Sequence, residues 1–143
     1  MTVDEIIDSW NADAPISELD LGKSSREIPR LHAKYYSMYI DAKREIAKAR
    51  YLFKKIRAQK YEFMINPTQE AMAEHGWVYP DRTILKSELK DYLEGDSELL
   101  KIEFKMTECE LKADALQEIL KQINNRNWLI NNALKDRSFL HGE

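Results

Sequence analysis

Few residues in this sequence interrupt helices, and few carry the usual chemistry of enzymes. Four glycines and four prolines in 143 residues leave little to turn the chain and favour long helices. The glycines, Gly22, Gly76, Gly95 and Gly142, nowhere take the spacing of a GxxxxGK[ST] phosphate loop, which argues against ATP hydrolysis. Cys109 is the only cysteine. One thiol makes neither an internal disulfide nor a zinc site by itself, which fits a reducing cytosol and equally an inert buried thiol elsewhere. His32, His75 and His141 are far apart, and neither HExxH nor CxxC occurs, so no metal is expected. No 18 consecutive residues are apolar, and Met1-Thr2-Val3-Asp4-Glu5 lacks a basic leader region. Neither membrane insertion nor export is expected. Glu103, Glu110 and Asp114 share overlapping faces of one stretch, but Lys101, Lys105 and Lys112 interleave with them, as on the solvated face of a coiled coil. The chain is expected to be no enzyme and to need no cofactor.

What is present is helical periodicity. Ile28, Leu31, Tyr35, Met38, Ala42, Ile46, Ala49, Phe53, Ile56 and Phe63 recur in steps of three and four, with Lys60 filling one slot. That is the coiled-coil period, and a helix from 29 to 63 would be roughly 50 Å long. Pro29 suits its first turn, and Asn66-Pro67 ends it. Leu99, Ile102, Met106, Cys109, Ala113, Leu116, Leu120 and Ile123 repeat the pattern, and Ile130 and Leu134, with Asn127 in one slot, extend it to about Arg137 with little or no break. Gly95 reads as a C-cap, and Asp96 or Ser97 as the N-cap before it.

The expected fold is all-α: two long heptad-patterned helices forming a hairpin or coiled coil, with short accessory helices, as an oligomer. It is read as one helical domain in four stretches. Residues 1–28 form an arm with a short amphipathic helix (Val3, Ile6, Ile7, Trp10) and a linker. Residues 29–64 are the first long helix. Residues 65–95 are a connection whose segment to Arg82 is a turn region with an aromatic cluster, followed by a short helix near Leu85 to Leu93. Residues 96–140 are the second long helix and a C-terminal assembly segment. Elongated helices in a chain this small leave burial incomplete, which a partner chain can supply.

Charge is distributed unevenly. The formal net charge is −3, yet from Arg26 to Lys60 there are 11 basic residues against Glu27, Asp41 and Glu45, a net of +8. The remainder therefore carries −11. Lys43, Arg50 and Arg57 lie seven apart on one flank of the apolar positions, with Arg44, Lys48 and Lys55 on the far side. A cation row rising about 10 Å per heptad can follow a phosphate backbone without reading bases. Tyr51 and Tyr61 are candidate base-stacking rings, whereas Phe53 and Phe63 hold apolar slots and read as core. A solvated basic face, or one that meets an acidic protein in a structural coiled-coil adaptor without DNA binding, is the competing reading.

Several segments together resemble the UvsY recombination mediators of T4-type phages. They are Ile28-Pro29-Arg30-Leu31-His32-Ala33-Lys34-Tyr35 ahead of a lysine-rich helix, Asp96 with Leu100-Lys101-Ile102, Ile123-x-x-Arg126-x-Trp128-x-Ile130, Phe139-x-x-Gly142, and the Trp10…Asp13…Ile16 opening. The resemblance implies a ring-like homo-oligomer acting in recombination, repair and replication of DNA in the host cytoplasm. It binds single-stranded DNA and promotes exchange of the phage single-strand-binding protein for the UvsX recombinase. The family's DNA-contacting segment is a basic stretch followed by paired tyrosines and a glycine. It falls here on Arg57, Lys60 and Tyr61, with Lys54 and Lys55 upstream, although Glu62-Phe63 follows in place of a second tyrosine and a glycine. With the two cation rows, the expected interface is Lys43, Arg44, Lys48, Arg50, Lys54, Lys55, Arg57, Lys60 and Tyr61. The resemblance also implies that the last helix drives assembly, through Ile123, Trp128, Leu129, Ile130, Leu134 and Phe139.

Overall fold

Residues 1–142 are described by the computed structural model, and among them every regular element is a helix. In chain order these are α1 (Val3–Asp13), α2 (Leu21–Arg26), α3 (Ile28–Ile65), α4 (Gln69–His75), α5 (Leu89–Glu94), α6 (Ser97–Asn124) and α7 (Arg126–Leu140), with a single 3-10 turn at Lys86–Glu88. The chain divides into two compact units, residues 1–44 with those from 108 onward, and residues 45–107.

In the first unit, α1 begins with a capping box. The Thr2 hydroxyl accepts from the Glu5 amide, and the Glu5 carboxylate accepts from the Thr2 amide, so two otherwise unmet donors are satisfied. Ile6 is buried and Trp10 meets the Tyr35 ring edge-on at 5.5 Å, while Ile7 is turned to solvent. The Tyr35 hydroxyl donates to Asp13 at 2.8 Å, which leaves the Ser9 hydroxyl, 3.0 Å away, to donate to it. Burial, opposed by the Ser9 bond and aided by Asp13, pushes the phenol up to about 12. Lys34 lies 2.7 Å from Asp13, and that hydrogen bond outweighs burial to hold the carboxyl below its ordinary value.

The stretch read as a linker contains α2. Asp20 caps it by accepting from Lys23, Leu21 is buried, and the helix packs on α7. The second long stretch is not continuous either. A turn at Asn125 separates α6 from α7, where two successive asparagines, both weak helix formers, precede Arg126. The register shifts there: Ile123, Arg126 and Ile130 are buried, and Asn127 is exposed. The Arg126 guanidinium donates through Nη1 to the Ala14 carbonyl at 2.9 Å, while Nε and Nη2 have no hydrogen-bond partner among the described residues.

The second unit is built around Phe63, Met64, Ile84, Leu89, Leu93 and Leu99, with Phe53, Ile56, Tyr61, Met72, Trp77 and Tyr79 packed around them. Half of the expected turn region is the helix α4. Thr68 accepts from the Ala71 amide at its start, and Gly76 ends it with φ of +71°, a left-handed cap that favours glycine. The aromatic part that follows is non-helical, and its Trp77 and Tyr79 join the core. Gly95 closes α5, and the Asp96 carboxylate caps α6 by accepting from Leu99.

Candidate nucleic-acid interface

The basic stretch sorts into two chemically different groups. Lys48, Arg50, Lys54 and Lys55 are exposed on α3, and none of them is ion-paired to another described residue. Lys48 and Lys55, like Arg50 and Arg57, are seven residues apart, so each pair spans about 10 Å along the helix. Like charges held this closely repel one another, and an outside polyanion relieves that repulsion. In the first unit's part of α3, Lys43 lies 6.0 Å from the Tyr39 ring. Arg44 is 3.7 Å from Asp41, both well exposed, a pair that contributes little and leaves the guanidinium available.

Arg57 is half-buried beside a cavity lined by Phe53, Leu93 and Leu99 with two carboxylates, Glu94 and Glu103. Any phosphate approaching it must compete with them. Lys60 goes further. Its side chain is 11% exposed, with Nζ 2.7 Å from Asp96 and 2.9 Å from Glu98. The ammonium also lies 5.3 Å from the Trp77 ring, and Glu98 accepts from the Trp77 indole. Burial alone would push the Lys60 pKa down, but the hydrogen bonds it donates to Asp96 and Glu98 reverse this and raise it. Lys60 thus stays charged and ties α3 to the cap of α6. Of the two tyrosines, Tyr51 is 68% exposed, whereas Tyr61 packs against the core.

The residues expected to drive assembly also divide. Ile123 and Ile130 are buried within the first unit, while Trp128, Leu129, Leu134 and Phe139 are exposed on α7.

A model of the UvsY family, described as recombination, repair and ssDNA binding protein UvsY, matches residues 9–143. The chain belongs to the UvsY family. No curated protein and no solved structure matches it. The UvsY match takes in the whole of α3, α6 and α7, and no helix among the described residues is long and apolar enough to cross a membrane. Two groupings in this UvsY chain escape sequence reasoning. The Lys60 partners lie 36 and 38 residues away, and only the lysine in an apolar slot hints that a carboxylate must meet it. The second is a run of rings on α3, His32, Tyr36 and Tyr39, whose signal is their spacing of four and three.

Proposed function

We propose that this chain is a recombination mediator. It binds single-stranded DNA along the outward cations of α3 and helps load a UvsX-type recombinase onto DNA covered by single-strand-binding protein. The observation that carries the reading is the set Lys48, Arg50, Lys54 and Lys55, solvent-facing and not neutralised by any other described residue. Family membership points the same way, because its description names recombination and single-stranded DNA. Arg57 extends the contact within the second unit, Lys43 and Arg44 offer further cations on the first, and Lys60 acts by holding the end of α3 in place. Affinity for poly(dT) falls with salt, with a log–log slope of about −0.7 for each phosphate neutralised. The four central contacts alone give a slope of about −3 and the flanking cations steepen it, measured by anisotropy across a salt series; a slope near zero overturns the assignment.

The chain works as a homo-oligomer, which multiplies one modest basic surface into a multivalent track. Supporting this are Trp128, 61% exposed, and Phe139, 82% exposed, large apolar rings on α7 that a solvated helix does not need. Light scattering should give the parent a mass several times 16.9 kDa, and the double substitution Trp128→Ala, Phe139→Ala should return it to the monomer value. If the parent scatters as a monomer, the track is not built this way.

A further inference from the structure

The first turns of α3 carry a run of rings in which Tyr36 is exposed and His32 and Tyr39 are half-buried. The imidazole of His32 and the ring of Tyr36 are nearly parallel, at 12° with centroids 5.7 Å apart. Tyr39 continues the run 6.5 Å further on, tilted by 33°. Lys43 stands over Tyr39 at 6.0 Å. All four belong to the first unit, and at helical spacing they fall within about 60° of arc. No acidic residue occupies that arc between Pro29 and Lys43.

Tyr35 and its neighbour Tyr36 show the division of labour. Tyr35 is fully buried with its hydroxyl held by Ser9 and Asp13; Tyr36 is 49% exposed, and its contacts are to rings. Parallel aromatic faces ordered by one another lose little freedom when another flat ring joins them. A cation at the end of the row suits a ligand that is flat in one part and anionic in the next. Unpaired nucleotides have that alternation, and stacking on them is tolerant of base identity.

We propose that His32, Tyr36 and Tyr39 form a stacking platform for the unpaired bases of single-stranded DNA, with Lys43 holding a neighbouring phosphate. This rests on the reading that the chain binds single-stranded DNA. It assigns to bases a surface separate from Tyr51 and Tyr61.

The test compares oligothymidylate with an abasic oligodeoxyribose phosphate of equal length, which keeps the charge and removes the rings. The full-length parent should bind the thymidylate roughly tenfold more tightly. The variant Tyr36→Leu, Tyr39→Leu should lose that preference while keeping its affinity for the abasic strand and its helical circular dichroism. The variant Tyr36→Phe, Tyr39→Phe should retain the preference, since the ring and not the hydroxyl is required. Equal binding of both strands by the parent, or an undiminished preference in the leucine variant, overturns the platform and leaves the cation row standing. Failure of the parent to bind either strand at low salt overturns the single-stranded-DNA reading and the platform with it.

Discussion

Replacing Lys60 by methionine should lower the melting temperature by about 5–10 °C and leave the affinity for poly(dT) within about twofold. The side chain is nearly enclosed and bonded to two carboxylates. Methionine matches much of its volume but removes the charge that offsets them. Removing one member of a fully buried ion pair typically costs about 3–5 kcal/mol. Here Asp96 keeps the Leu99 amide and Glu98 keeps the Trp77 indole, and Glu98 is partly solvated, so about 2 kcal/mol is the better figure. In a chain this size that is several degrees. Because Lys60 is turned away from solvent, the salt slope of DNA binding should be unchanged. A variant that melts like the parent but loses a phosphate contact would show that the lysine serves DNA and not the fold.

Reversing four charges at once, Lys48→Glu, Arg50→Glu, Lys54→Glu and Lys55→Glu, should have the opposite signature. These side chains are exposed and not ion-paired to any described residue, so helix content and melting temperature should change little, within about 1 kcal/mol. Affinity for single-stranded DNA should drop by about a thousandfold or more at 50 mM salt, because four attractive contacts become repulsive. Anisotropy with labelled poly(dT), read beside circular dichroism, separates the two effects. Parent-like binding by a folded quadruple variant would place the interface on another face.

The long helices were legible because burial follows spacing. Leu31, Tyr35, Ala42, Ile46, Ala49, Leu99, Cys109, Ala113, Leu116 and Ile123 are buried, whereas Ile28, Met38, Phe53, Ile56, Ile102, Met106 and Leu120 of the same series are half-buried, and Ile119 is buried in place of Leu120. Capping chemistry was legible at Gly95 and, with Ser97 as the open alternative, at Asp96, which the bond from the Leu99 amide selects. The same rules would have found α2 and α4 from Asp20 and Thr68; helices of six and seven residues leave too short a periodic signal to stand out. Periodicity carried too far hid the turn at Asn125, since Ile130 fits an unbroken register only until Arg126 takes the buried place given to Asn127. Within the candidate interface, counting charges identified the helix. It could not separate Lys55 from Lys60, because what distinguishes them is a carboxylate pair brought in from another part of the chain.

On the proposed interface, that division within α3 makes the strand's grip and the protein's cohesion answer differently to ionic strength. Counterions crowd readily around the outward lysines and displace a bound polyanion, but they have little access to the enclosed bridge at Lys60. Raising the electrolyte should therefore strip cargo from the scaffold long before the scaffold loosens, so that the protein lets go and takes hold again without refolding.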